Sequence, residues 1–383
     1  MSRIDDLIRD LCPNGVEYKP LGELLNYEQP GPYLVSSKEY NLSYPTPVLT
    51  AGATFILGHT NEQHGIYSAS QGSPAIIFDD FTTASKWVDF PFKAKSSAMK
   101  ILTSSNDNPI DLRYIYYVLD ALNYTPSTHS RHWISIFSKM QIAFPPRTVR
   151  EYIVSALNRF KALEAELEAE LEVRRQQYSH FVNSITHSEH TTTLGNIATF
   201  DYGLTAKAKD TGTHRFIRIT DISPNGYLLP NNAKYVDITP DSNRFIVNDQ
   251  DILVARTGAS YGKTLLVRSE NPMSFASYLI RINLDPLQID PEFYWHFTHS
   301  RDYWKQAASL VSEGGQQQFN SNALKRIKTP IPPLTQQREI AKSLNNLHSL
   351  AYDITSGLPA EIEARRKQYE YYRDRLLTFS EKK

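Results

Sequence analysis

Cysteine is nearly absent from this chain of 383 residues, which contains only Cys12. A single thiol excludes an internal disulfide and any multi-cysteine zinc site, and it fits a reducing compartment. Cys12 reads as a small apolar residue closing a short N-terminal helix. Long apolar runs are missing too; none approaches the roughly 20 residues that cross a bilayer. The start, MSRIDDLIRDLCPNG, is charged and has no secretory apolar core, so a cytoplasmic location is expected. Net charge is also absent, with 41 basic against 41 acidic side chains. Residues 1–146 hold 11 basic and 14 acidic groups, and no segment departs far from neutrality. Any phosphate contact must therefore come from local clusters rather than from the field of the whole molecule.

The motifs of catalysis are missing as well. ARTGASYGKT (255–264) invites a phosphate-binding loop, but Gly258 and Gly262 enclose three residues where that loop needs four. TLLVR follows it and reads as a strand, whereas the phosphate mechanism needs a helix N-terminus. The stretch is expected to be a β-hairpin with basic residues at its tip. No GxGxxG opens a helix, and FPPR and IPPL lack both the polar residue and the aromatic of an adenine-methyltransferase motif. The pairs His129/His132 and His296/His299 have no accompanying ligand pattern, so no metal site is expected. FDDFTTASK (78–86) offers Asp79, Asp80 and Lys86, but Ala84 stands where a nuclease would carry a further acid. Neither catalytic residues nor a bound cofactor are expected in this chain.

What is present is an internal repeat. FPPRTVREYIVSALNRF (144–160) matches IPPLTQQREIAKSLNNL (331–347) without a gap, and LEVRRQQY (171–178) matches IEARRKQY (362–369) four residues further on. PLGELLNY (20–27) resembles TLGNIATF (193–200), and IDLRYIYYVL (110–119) falls where IDPEFYWHF (289–297) falls in the second copy. Each half thus runs from a Leu-Gly opening through a β-rich stretch and an aromatic helix to a Pro-Pro stop and a long charged helix. Strands are expected in PVLTAG, FILG, PAIIFDDF, WVDFPF and SAMKIL of the first half. In the second they are expected in RFIRITDI, DILVAR, TLLVR and YLIRINL. Pro145-Pro146 and Pro332-Pro333 punctuate domain from helix, with Thr148 and Thr335 as expected N-caps.

The long helices carry an apolar stripe at spacings of four and three: 149, 153, 156, 160, 163, 167, 171, 178, 181 and 185 in the first, and 340 to 376 in the second. Two such seams can satisfy each other as an antiparallel coiled coil. The word LEAE is said twice, at 163–170, in the middle of the first helix. Gly357 and Pro359 interrupt the second, so a break is expected near 356–359. The expected division is a first β-rich domain (1–146), a central helix (147–187), a second β-rich domain (188–333) and a C-terminal helix (334–383).

Basic and amide side chains gather in loops. TASKWVDFPFKAKSSAMK (83–100) carries Lys86, Lys93, Lys95 and Lys100 among Trp87, Phe90 and Phe92. STHSRHWIS (127–135) and SEGGQQQFNSN (312–322) each precede a Pro-Pro stop. Gln and Asn read adenine bidentately and Arg reads guanine. DNA contacts are expected from Lys86, Arg131 and His132 in the first half, and from Arg218, Arg256, Lys263, Gln316, Gln317 and Gln318 in the second.

The ordered double set, with its RRQQYSHF and RRKQYEYY helix ends, DILVARTGASYGK and GGQQQFN, resembles the specificity subunit of type I restriction–modification systems over essentially the whole chain. The resemblance implies a mixed α/β fold of two β-rich target-recognition domains in tandem, each followed by a long helix, the two helices forming an antiparallel coiled coil. It implies a non-catalytic adaptor that reads a bipartite site in double-stranded DNA. Two modification subunits carrying S-adenosylmethionine would methylate adenines there. Restriction subunits that use ATP and Mg would translocate and cleave. A related system with a fused methyltransferase–nuclease partner, and a coiled-coil protein scaffold, are the alternatives.

Overall fold

The computed structural model describes residues 3–52, 54–122, 124–126, 130–185, 188, 190–268, 271–311 and 318–382. By contacts the chain divides into two units, residues 1–164 with 365–383, and residues 165–364.

The first unit opens with α1 (Arg3–Leu11), β1 (Tyr18–Pro20), a single turn α2 (Leu21–Leu24) and β2 (Leu25–Glu28). Then come β3 (Thr46–Leu49), β4 (Ile56–Thr60), β5 (Ala75–Asp79), β6 (Ser85–Val88), β7 (Lys93–Ala94) and β8 (Met99–Ser104). The aromatic helix α3 (Pro109–Ala121), β9 (Gln141–Ala143) and the long helix α4 (Arg147–Ser184) follow. One antiparallel sheet has the order β2-β8-β5-β6; a smaller one has the order β4-β3-β7, with β3 and β7 parallel. The central strand β5 is apolar at every position from Ala75 to Phe78 because both its faces are covered. Ile76 and Phe78 pack with Leu112, Ile115 and Trp133, while Ala75 and Ile77 pack with Leu49, Val88 and Phe92.

The second unit repeats this plan. It begins with β10 (Thr191–Thr193), α5 (Leu194–Ile197), β11 (Ala198–Tyr202), β12 (His214–Ile217), β13 (Tyr235–Val236) and β14 (Ile246–Val247). Next are β15 (Ile252–Ala255), β16 (Thr264–Leu266), β17 (Met273–Phe275) and β18 (Leu279–Leu284). It continues with α6 (Pro291–Phe297), α7 (Arg301–Leu310), α8 (Ser321–Leu324), β19 (Lys328–Pro330), α9 (Leu334–Tyr352) and α10 (Leu358–Leu376), the last of which ends in the first unit. The main sheet, β11-β18-β15-β16, has the same order and the same antiparallel pairings as its counterpart. The second sheet, β13-β12-β17-β14, keeps one parallel pair but gains a strand.

The helices that follow the Pro-Pro stops begin earlier than expected. α4 starts at Arg147 and α9 at Leu334, so Thr148 and Thr335 lie inside the first turn rather than capping it. Pro333 occupies the N-cap of α9, where a missing N–H costs nothing. The second long helix is two helices, parted by Asp353–Gly357. Asp353 accepts bonds from the Thr355 amide and hydroxyl and from the Ser356 hydroxyl, which makes the stop. A Cβ on Gly357 would lie 2.4 Å from the Ser349 carbonyl, so only glycine fits the crossing. Pro359 does not kink a helix; it sits in the first turn of α10, the position proline favours.

The helices pack antiparallel within each unit. In the first, Phe160 stacks on Tyr372 at 5.5 Å, and Glu164 pairs with Arg366 at 2.6 Å. In the second, Leu171 clusters with Ala351, Leu358 and Ile362, and Tyr178 and Val182 with Leu344.

Candidate nucleic-acid interface

The same backbone bonds close both halves. β1 pairs with β9 from Tyr18↔Ala143 to Pro20↔Gln141, and β10 with β19 from Thr191↔Pro330 to Thr193↔Lys328. The leucine of each Leu-Gly opening donates to the closing segment: Leu21 to Met140 O at 3.0 Å and Leu194 to Ile327 O at 2.8 Å. Gly22 is needed for the approach, since a Cβ there would lie 2.9 Å from Ser138 O, and at Gly195 a Cβ would be tight, 3.0 Å from the Lys325 side chain.

Aligned side chains anchor the helix starts. Arg150 donates to the Pro145 carbonyl and forms a buried pair with Asp111 at 2.7 Å. Its counterpart Gln337 donates to the Pro332 carbonyl at 2.7 Å and accepts from the Asp290 amide at 2.8 Å. Farther along, Asn158 accepts from Tyr117 Oη and Arg113 Nε, and Asn345 contacts His296 and Arg268 in the same way.

The two halves part at the residue after the central strand. In the first it is Asp80, 1% exposed, which pairs with buried Lys100 at 3.3 Å and accepts from the His132 and Trp133 amides at 3.0 and 2.7 Å. In the second it is Arg256, partly exposed, whose Nε donates to the Ser277 carbonyl at 2.9 Å. The main-chain bond at this place is common to both: His132 N reaches Asp80 O at 2.9 Å and Phe319 N reaches Arg256 O at 2.8 Å.

These contacts sort the expected DNA-binding residues. His132 is a correction: its ring is buried at 1% exposure with Nδ1 3.1 Å from the Asp80 carbonyl, so it positions a loop rather than facing a ligand. Its neighbour Arg131 is exposed. Lys86 stands half-buried on β6, opposite Ile77. The rest of its cluster is depleted, because Lys93 is buried against Glu62 at 2.8 Å and Lys100 against Asp80. Trp87 is also engaged, under the Arg113 guanidinium at 4.4 Å.

In the second half ARTGASYGKT is a hairpin between β15 and β16, with Gly258 and Gly262 at positive φ. It places Lys263 opposite Ala255 and leads Arg256 to Thr257, which bridges to Gln318. Arg256, Lys263 and exposed Gln318 therefore belong to one neighbourhood. Arg218 is apart from it, held by both Asp221 oxygens at 3.0 and 2.7 Å. Gln316, Gln317 and His129 lie outside the described residues. Sequence reasoning missed Tyr202 and Tyr278, which flank Arg256; an aromatic directly before Gly203 at a strand end was the available signal.

The second half also contains an aromatic and imidazole joint. Tyr178 of α4 bonds His296 at 3.0 Å, His348 of α9 bonds Tyr227 at 3.0 Å, and His299 bonds the Trp295 carbonyl. Burial drives all three histidines toward the neutral form, His296 down to about 3 and His348 down to about 2. Burial likewise pushes the Tyr178 hydroxyl up. Among the described residues no histidine, cysteine or carboxylate cluster could hold a metal ion.

Both units thus carry the same β-rich frame, closed in the same way and continued by a long helix. The model of the type I restriction modification DNA specificity domain matches residues 189–364. The specificity subunit of the EcoR124I/EcoR124II type I restriction enzyme of Escherichia coli is 38% identical, covering 99% of this chain and 98% of that protein. A putative type I specificity subunit of Haemophilus influenzae is 25% identical over 95% of this chain and 96% of its own length. The type I S subunit structure from M. genitalium aligns with a TM-score of 0.62 at 15% identity, covering 95% of this chain and 96% of that one. The chain belongs to the specificity-subunit family of type I restriction enzymes, the non-catalytic components that recognise the DNA target. No helix among the described residues is long and apolar enough to cross a membrane.

Proposed function

We propose that the chain reads a bipartite target in double-stranded DNA, one half-site through residues 1–146 and the other through residues 188–333. The helical segments 147–187 and 334–383 set the unspecified gap between the half-sites. Two modification subunits bind the chain and supply S-adenosylmethionine, and restriction subunits supply ATP- and Mg-dependent cleavage, all in the cytoplasm. The observation that carries this reading is the duplicated closure, in which identical backbone bonds support main sheets of identical order beside second sheets that differ. A shared frame with divergent surfaces suits two different half-sites. Candidate contacts are Lys86 and Arg131 in the first half, and Arg218, Arg256, Lys263 and Gln316 to Gln318 in the second.

The test is to map methylated adenines in DNA from cells expressing the chain with its partner modification subunit. A two-part motif with a fixed gap is expected. Absence of methylation, with that subunit active on another specificity chain, overturns the reading. The repeated LEAE supplies a further test, because four residues add about 6 Å along a helix, against about 3.4 Å per base pair of DNA. Deleting Leu167–Glu170 should shorten the gap by about one or two base pairs and leave both half-sites unchanged; an unaltered gap refutes the spacing role.

A further inference from the structure

Three strand ends meet at one corner of the second main sheet. β11 finishes at Tyr202, β15 finishes just before Arg256, and β18 begins just after Tyr278. The Arg256 amide donates to the Tyr278 carbonyl at 3.1 Å, which locks the two backbones together. The Arg256 guanidinium lies 5.2 Å from the Tyr202 ring and 5.7 Å from the Tyr278 ring. Those rings are 41% and 53% exposed. Tyr202 is itself fixed: its Oη accepts from the Ser321 amide at 3.2 Å, and the chain at Gly203 passes so close to Ala276 O that a Cβ there would lie at 2.3 Å.

The side chain is thus held by Nε on Ser277 O and walled by two aromatic rings. Among the described residues its two terminal nitrogens have no hydrogen-bond partner. An arginine fork grips two oxygens of a phosphate as well as the edge of a base, so the methylated motif, rather than affinity, has to decide between them. A planar fork whose inner nitrogen is anchored and whose outer edge is open matches two acceptors on one base edge. In the DNA major groove that pattern is guanine, through O6 and N7. Holding the fork in place beforehand removes part of the entropy lost on binding.

We propose that Arg256, walled by Tyr202 and Tyr278, reads a guanine from the major groove in the second half-site. The proposal rests on the bipartite reading above. The first half has no equivalent reader at this place, because Asp80 is buried there and committed to Lys100.

The experiment maps methylated adenines in cells expressing the full chain with its modification subunit, for wild type, Arg256→Lys and Arg256→Ala. The wild-type motif should contain a guanine in its second half-site. Both variants should lower the preference for that guanine roughly tenfold to a hundredfold, with the first half-site and the gap unchanged. A uniform fall in methylation across all sites, with the motif intact, makes Arg256 a phosphate contact and overturns the proposal. So does a wild-type second half-site without guanine, which leaves the bipartite reading standing. A wild-type motif that is not bipartite overturns that reading itself. If neither variant assembles with the modification subunit, while the wild type does, Arg256 is structural and the proposal fails.

Discussion

In the first half the residue after the central strand is an acid sealed inside the protein with a lysine; in the second it is an arginine standing between two exposed tyrosines. Both are followed at a distance by a segment whose amide bonds to their carbonyl, His132 in one case and Phe319 in the other. The main-chain bond is common to both halves, and in the first the Asp80 carboxylate adds two more bonds to the same segment, so the frame is kept while the side chains differ. The same division appears at the long-helix joint. Tyr117 and Lys161 stand in the first half where His296 and His348 stand in the second, around asparagines in equivalent positions.

The comparison can be broken most sharply at the Asp80 position. Asp80→Ala leaves Lys100 buried without its partner and should cost about 3–5 kcal/mol, whereas Arg256→Ala should cost under about 1 kcal/mol. Hydrogen exchange resolved by segment should show lost protection in 75–104 for the first variant and little change in 252–284 for the second. Equal small losses would show that the two places are alike after all.

A smaller contrast lies in pH. The folded-state pKa values of His296 and His348 are depressed, to about 3 and about 2, below the ordinary value near 6.5. Above pH ~6.5 both folded and unfolded chains hold these rings neutral, and the stability is intact. As pH falls below that value the unfolded chain takes up protons that the folded joint refuses. The second half then loses up to about 1.4 kcal/mol per pH unit for each histidine. The midpoint of urea unfolding for segments 291–299 and 340–352 should drop between pH 7 and pH 5, and His348→Gln should flatten that drop. A pH-independent midpoint would mean that water reaches the joint.

The smallest effect separates the paired asparagines. Asn158→Ala removes from an exposed position the acceptor shared by Tyr117 and Arg113 and should cost about 1 kcal/mol. Asn345→Ala strips partners from His296, Glu292 and Arg268 together and should cost about twice that. Thermal unfolding of the two variants measures the difference, and equal shifts would remove the asymmetry.

Much of this was legible in the sequence because it is written twice. The central apolar strands and the helices after the Pro-Pro stops follow local patterns and formed as expected, apart from their N-caps, while the single helical turn at each Leu-Gly opening had no signal of its own. The second sheets were not legible, since strands as short as Tyr235–Val236 and Ile246–Val247 have no periodicity to read. The lysines of 83–100 misled for another reason. Burial of Lys93 and Lys100 depends on Glu62 and Asp80, partners that no spacing rule could supply. Arg256 was expected from its charge alone, while Tyr202 and Tyr278, which flank it, come from strands distant in the chain.

The short paired strands that close each half have one more consequence. They bring the way in and the way out of a half side by side, Pro20 against Gln141 in one and Thr193 against Lys328 in the other. A segment bounded by such a pair is a cassette. Residues 21–140 could be grafted in place of 194–327 with both junctions already paired in the same way, so the fold allows a whole segment to be exchanged rather than one side chain at a time.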